Sequence, residues 1–475
     1  MTSRIKPKIA HYLITSIIII GFGYLPPISP ITQEGMIILG VFIGCVYGWS
    51  TIDMIFPSIL GILRLGIHSG MGTILSAGLG SPTVWMVIMF FVAIGILNDL
   101  GIIEFIAYFF MSRKIVQGRP WLLITLLTFG VYIASIFNGF AALIIFWGIL
   151  FKICEILNIK PYTKFPTVIA LIFLISSVLA LISVPFASNA LIALGAFTPL
   201  TGIEISFLKY ALTSIPIGVF SILCAILIAR FILKVPVAAL KEVNLSTLNP
   251  EKKTLDKKQK LTLLMFLWII IDLFAASILP DCGIKVLLTN LTIFGQATLP
   301  IVVFSFIRID HEPLFDIRQT LTKHVSWDVI ILMGVIFPLI QLLTADSTGV
   351  SQFFSNLVTP LSSLGTVGFL ILITAIVALL TNFANNSVLV IICLPLIYSF
   401  SQQSSMNPVA AMFILLYAAH FSILTPAACP NTALYFSNTN WIDMKTSAKY
   451  ASVFIVLLWL FTSIFGYFWA NLLWQ

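Results

Sequence analysis

Charge is scarce in this sequence: Asp, Glu, Lys and Arg make up 9% of its 475 residues, against about 25% in soluble domains. Such a chain cannot clothe a globule in water, which excludes a soluble fold. Its cysteines, Cys45, Cys154, Cys224, Cys282, Cys393 and Cys429, form no CxxC pair and lie in or beside apolar segments. That excludes a zinc or disulfide framework and leaves them as small hydrophobes. Neither HExxH nor GxSxG occurs, and apolar runs carry no paired carboxylates, so a membrane enzyme, the reading of another class, has no motif to rest on. The net charge of +8 sits in short stretches between apolar runs rather than on a stripe. This argues against a nucleic-acid partner and for membrane orientation.

What is present is apolar: 60% of the residues are hydrophobic, and the mean hydropathy is +1.10. Runs of about 20 residues, the length that crosses a bilayer at 1.5 Å per residue, recur from Ile9 onward. Arg4, Lys6 and Lys8 precede a run from Ile9 to Leu25, which is followed by Pro26 and Pro27 rather than by a small-residue cleavage site. The expectation is an uncleaved first helix with a cytoplasmic N-terminus in the cell inner (plasma) membrane. Residues 235–260, with Lys252, Lys253, Lys257, Lys258 and Lys260, read as a cytoplasmic linker between an N-terminal half (1–234) and a C-terminal half (261–475). About six crossings precede it and five follow, about 11 in all, which places the C-terminus outside, where Leu472, Leu473, Trp474 and Gln475 carry no basic residue. Arg113, Lys114 and Arg119 fall inside.

Residues 121–157 and 360–402 are too long for one crossing and polar at mid-length; each reads as a re-entrant hairpin. The halves also repeat. Trp85 aligns with Trp327 and Asn189 with Asn431, and both differences, 327 − 85 and 431 − 189, equal 242. With an odd number of crossings per copy, the second inserts upside down, giving the inverted repeat typical of secondary transporters.

Polar residues cluster at four places. The hairpins carry Ser135, Asn138 and Gly139, and then Thr381, Asn382, Asn385, Asn386 and Ser387. The long segments 165–200 and 408–437 are interrupted by Pro185, Ser188 and Asn189, and by Thr425, Pro426, Pro430, Asn431 and Thr432. Proline removes a backbone donor and clashes with the preceding turn, so both helices should break there. Helix N-termini so exposed favour anions, and freed carbonyls suit a small cation such as sodium. Taken singly, each asparagine reads equally as interhelical hydrogen-bonding glue. The clusters contain no lysine or arginine, so helix ends, amides, hydroxyls and a co-transported cation would have to neutralise a bound anion. His420 and Asp272 stand alone in apolar runs, where each is either a packed structural group or a proton-linked one. A channel would instead show charged rings or a repeated filter loop.

These features resemble the divalent-anion/sodium symporter (DASS) family of the ion transporter superfamily. Its hairpin tips carry Ser-Asn-Thr, and a Pro-Asn turn breaks a later helix in each half. Here Asn385, Asn386 and Ser387 occupy the second triplet and Pro430 and Asn431 the second turn, while Phe137, Asn138 and Gly139 stand at the first tip and Ala187 and Ser188 at the first turn. The resemblance implies an all-α membrane protein with two inverted repeats, each with a re-entrant hairpin and a broken helix. It further implies a homodimer in lipid whose scaffold stays fixed while a transport domain moves as an elevator, linked by horizontal helices near 101–112 and 348–358 with Gly101 and Gly349 as hinges. The implied activity is sodium-coupled transport of small anions, di- or tricarboxylates by default, with no organic cofactor; a proton-coupled or exchange-type carrier of another oxyanion or metalloid is the alternative. The implied substrate site is Asn138, Gly139, Ser188, Asn189, Asn385, Asn386, Ser387, Ala428, Cys429 and Pro430. Sodium would sit at Ser135, Asn138 and Pro185, and at Thr381, Ala384, Asn386 and Ala427.

Overall fold

The structure, a computed structural model, describes residues 5–111, 117–242 and 254–474; Arg4, Arg113, Lys114, Lys252, Lys253 and Gln475, named above, lie outside the described residues. The N-terminal half holds α1 (Ile5–Gly21), α2 (Gln33–Thr51), α3 (Ile55–Ser69), α4 (Met71–Ala77), α5 (Pro82–Asp99), α6 (Ile102–Met111), α7 (Pro120–Ile156), α8 (Lys164–Ser183), α9 (Ser188–Thr201) and α10 (Phe207–Leu227). After residue 254 come α11 (Lys257–Ile278), α12 (Gly283–Ser305), α13 (Ile317–His324), α14 (Trp327–Thr344), α15 (Val350–Val358), α16 (Gly365–Leu380), α17 (Asn386–Gln402), α18 (Pro408–Ala419), α19 (Pro430–Ser437), α20 (Met444–Phe461) and α21 (Tyr467–Leu473). A two-residue antiparallel ladder, Arg308–Ile309 against Glu312–Pro313, is the one sheet among the described residues.

Side-chain caps set many helix starts. Thr32, Ser81, Ser206, Asn385, Asn407 and Asp443 each accept from a backbone N–H of the first turn, and Asp256 with Gln259 forms a capping box at α11. Nine helices among the described residues are long and apolar enough to cross a bilayer, and shorter apolar helices, α3, α17 and α18 among them, complete the bundle. The chain is a multi-pass membrane protein. At its centre lies α8, 94% buried along its most apolar stretch.

Helix α7 is a hairpin. Asn138 breaks it at φ −158°, ψ 103°, and a Cβ on Gly130 would lie 2.8 Å from the Phe146 ring. In a straight helix those positions would be about 24 Å apart. The second hairpin is α16–α17, whose arms are joined by Phe369 stacked on Phe400 at 3.8 Å between centroids. Both long segments break as proline demands, at Val184–Ala187 between α8 and α9, and at His420–Cys429 between α18 and α19. Before α6 and α15 stand Gly101 at φ +68° and Gly349 at φ +67°, a conformation glycine adopts without strain. Their separation, 349 − 101 = 248, equals that of the hairpin asparagines, 386 − 138 = 248. The repeat therefore extends to the short helices leading into each hairpin.

One span departs from the simple pattern. Residues 283–306 read as a single crossing, yet α12 breaks at Thr292 (φ 55°, ψ 175°). Gln296 Nε2 donates to the carbonyl of Leu288 at 2.7 Å, supplying a partner at the break that hydropathy does not reveal.

Helix α18 is tied to α10 by Tyr417, whose hydroxyl donates to Ser214 O at 2.6 Å and lies 3.1 Å from Ser214 Oγ, fully buried. Tyr417→Phe removes one buried hydrogen bond worth about 1 kcal/mol. The expected result is a thermal midpoint in detergent lowered by a few degrees with anion uptake retained; an unchanged midpoint would show that the bond is not stabilising.

Candidate functional site

Three helix N-termini meet at one cavity. Asn189 in the first turn of α9, Asn386 and Ser387 opening α17, and Pro430 and Asn431 opening α19 all line a space of about 540 Å³. Each terminus carries roughly half a positive charge. No Asp, Glu, Lys, Arg or His is among the described residues that line it. The far wall comes from Trp49 and Ser50 at the end of α2 and Val329 at the start of α14.

A second cavity of about 300 Å³ lies against the first hairpin tip. Ser135, Asn138, Gly139 and Ser188 line it, together with Asn98, Lys323 and His324. At its edge Asp99 is paired with both Lys323 and His324, the latter at 3.0 Å, so this carboxylate at the end of α5 is ion-paired rather than simply hydrated. The polar residues of the two hairpins thus face different spaces.

Between the cavities stands a partition of short polar groups. Ser135 Oγ donates to Ser177 Oγ at 3.0 Å, and Asn431 Nδ2 donates to the same oxygen at 3.1 Å. A Cβ on Gly139 would lie 2.8 Å from Ser177 Oγ and 2.9 Å from Asn431 Nδ2, so glycine is what allows this close approach.

The other repeat makes the corresponding exchange. Asn189 Nδ2 lies 2.8 Å from His420 Nε2, and Ser387 Oγ donates to Asn189 Oδ1 at 3.2 Å. Each broken helix therefore gives its asparagine to the first segment of the other: Asn431 to Ser177 of α8, Asn189 to His420 beyond α18. The separations, 431 − 189 = 242 and 420 − 177 = 243, show pseudo-twofold pairing in side-chain contacts.

At the second hairpin Thr381 Oγ1, Asn386 Oδ1 and Ala419 O converge. Thr381 Oγ1 lies 2.9 Å from Asn386 Oδ1 and within hydrogen-bond reach of Ala419 O, with one hydroxyl hydrogen to share between them. Asn386 Nδ2 donates to Ser422 Oγ at 3.0 Å, which fixes the amide with its oxygen toward Thr381. Asn382 bolts the hairpin to the broken helix: its Oδ1 accepts from Leu424 N at 2.9 Å, and its carbonyl accepts from Thr425 Oγ1.

A citrate transporter family profile, CitMHS, matches residues 36–419. The chain belongs to the CitMHS citrate transporter family. It is 25% identical over 142 residues to solute carrier family 13 member 2 of Homo sapiens, covering 30% of this chain and 24% of the human protein. To the Na(+)/dicarboxylate cotransporter 3 of Rattus norvegicus it is 23% identical over 193 residues, covering 39% of this chain and 32% of the rat protein. The matches thus span a quarter to a third of the length of these curated relatives. The YdaH transporter of Alcanivorax borkumensis superimposes with a TM-score of 0.60 at 15% identity, covering 86% of this chain and 90% of that one, so the two share a fold. The family match thus places this chain among proteins described as citrate transporters.

Within the CitMHS fold the residues singled out by sequence separate clearly. Asn189, Ala384, Asn385, Asn386, Ser387, Ala427, Ala428, Cys429 and Pro430 line the larger cavity, and Ser135, Asn138, Gly139 and Ser188 the smaller. Thr381 is fully buried behind the second hairpin tip. Pro185 is buried in the first break, and Asp272, 9% exposed on α11, lines neither cavity. Ser177, Ser422 and the Ala419 carbonyl escaped the sequence analysis. Ser177 and Ser422 lie in ordinary apolar contexts, and a backbone carbonyl carries no sequence signal. For Ser177 and Ala419 the 242-residue repeat, 419 − 177 = 242, is the one clue that could have paired them.

Proposed function

We propose that this chain is a sodium-coupled symporter of small di- or tricarboxylates whose anion site is the larger cavity. The observation that carries the reading is the convergence of α9, α17 and α19 N-termini on a space that no charged side chain lines among the described residues. Polyvalent anions fit such a place because backbone N–H groups and aligned dipoles favour negative charge. The remaining charge needs a cation, and the oxygens of Thr381, Asn386 and Ala419 form a compact, lysine-free cluster beside the anion cavity that suits sodium. The name of the rat relative, a Na(+)/dicarboxylate cotransporter, and the description of the family, a citrate transporter, give this reading its substrate class.

The hairpins and broken helices form the moving part and the remaining helices a homodimeric scaffold, with residues 235–260 as the linker between halves. Gln259, at the end of that linker, donates to Leu100 O at 2.7 Å, beside the Asp99 pairs with α13. The larger cavity abuts the ends of α2 and α14 on that same side, since α14 starts three residues after α13 and α2 runs antiparallel to it, with Thr32 N on Thr348 O at 2.9 Å. With the N-terminus and linker cytoplasmic and the C-terminus outside, this is an inward-facing arrangement of an elevator in the cell membrane.

The test is uptake of labelled citrate and succinate into proteoliposomes with and without an inward sodium gradient. Uptake that rises at least several-fold with sodium supports the symporter; equal uptake in potassium medium rules out sodium coupling, and no uptake of either acid rules out the substrate class.

A further inference from the structure

We infer that His420 is a proton-binding site coupled to the anion cavity through Asn189 and Ser387, an inference that rests on the larger cavity being the anion site. His420 is fully buried at the end of α18. Its Nδ1 lies 2.7 Å from Leu416 O, which can only accept, so Nδ1 carries the hydrogen. Nε2 is then a lone-pair acceptor for Asn189 Nδ2, and Asn189 Oδ1 accepts the hydroxyl hydrogen of Ser387. The imidazole is neutral, and both Asn189 and Ser387 line the cavity.

A proton from solvent arriving on Nε2 makes that atom a donor. Asn189 then turns its amide so that Oδ1 accepts from Nε2–H, while Nδ2 donates to Ser387 Oγ. Ser387 Oγ thereby becomes the acceptor in its bond to Asn189, and its own hydrogen is free to donate into the cavity. The site gains one positive charge and one O–H donor, and no bond other than N–H forms. By linkage, whatever the proton adds to anion affinity the anion adds to proton affinity.

Few groups compete for this charge. Helices α8, α9, α16, α17 and α21 pack against α18, and α10 is joined to it through Ser214. Their titratable residues are Lys164, at the end of α8 away from the break, Lys209, Tyr210 and Cys224 on α10, and Cys393, Tyr398 and Tyr467; Tyr417 on α18 itself and Cys429 in the following segment complete the set. None of these helices carries Asp, Glu or Arg, so the bound anion is the counter-charge a protonated His420 would have.

The experiment is citrate uptake by the full chain in proteoliposomes between pH 5.5 and 8, with KM and maximal rate separated, for wild type, His420→Gln and Asn189→Ala. Equilibrium proton uptake on adding citrate to the purified protein is recorded alongside. In wild type KM should fall several-fold toward acid pH beyond the change from citrate's own ionisation, with net proton uptake by the protein. His420→Gln should leave only the citrate contribution. Asn189→Ala, which cuts the relay while keeping the imidazole, should flatten KM likewise, and it decides the matter if His420→Gln does not fold. An unchanged pH slope in a folded variant overturns the relay while leaving the transport reading intact; citrate uptake absent from wild type removes both.

Discussion

Asn386→Ala should reduce the initial rate of citrate uptake at least about thirty-fold while the protein still elutes as a folded species. The reason lies in what the side chain holds. Its oxygen faces Thr381 Oγ1 at 2.9 Å and its amide donates to Ser422 Oγ at 3.0 Å, with the residue itself 8% exposed. Alanine leaves the buried Ser422 hydroxyl without its amide donor, at roughly 1–3 kcal/mol, and removes one of the three oxygens of the cluster, leaving Thr381 Oγ1 to Ala419 O alone; each 1.4 kcal/mol is about a tenfold change. Because Asn386 is the first residue of α17, the loss falls at the cavity and the oxygen cluster together. Uptake within threefold of wild type would mean that neither the anion nor the coupling cation uses this hairpin tip.

Gly139→Ala should have a comparable effect from the other side of the partition. The added carbon would sit 2.8 Å from Ser177 Oγ and 2.9 Å from Asn431 Nδ2, and these two are bonded at 3.1 Å. Overpacking costs about 1–3 kcal/mol, and the broken buried hydrogen bond adds about 1–3 kcal/mol. Asn431 opens α19 and lines the larger cavity, so the displacement reaches the anion site although Gly139 lines the smaller one. The discriminating measurement is the double variant Gly139→Ala, Ser177→Ala, in which the missing hydroxyl makes room: it should recover part of the uptake lost by Gly139→Ala alone. No recovery would show that the defect arises at Asn138 and the hairpin turn rather than at the partition.

What the sequence by itself determined is the set of features that local chemistry controls. Hydropathy over about twenty residues marks what enters the bilayer, proline marks where a helix stops, and Asn138 and the Asn385–Asn386 pair at mid-length mark where an apolar stretch turns back. The membrane class, the inverted repeat, both hairpins and both breaks were legible for that reason, and so was the gathering of polar residues at four places. The kink at Thr292 was not: Asn290, Gly295 and Gln296 stand beside it, but the run is short enough for one crossing and apolar enough to read as unbroken.

Only the tertiary structure decided which polar groups meet. Asn189 reaches His420 across 231 residues and Asn431 reaches Ser177 across 254, contacts that no local period encodes. It also decided that the two hairpin tips face separate cavities, with Gly139 thinning the wall between them. Serine in an apolar helix has the same sequence signature whether it bonds its own preceding turn, as Ser176 does to Ile172 O at 2.9 Å, or a broken helix from the other repeat, as Ser177 does. The difference is set by which neighbour the packing of distant helices brings within 3 Å, and that is a property of the assembled bundle alone.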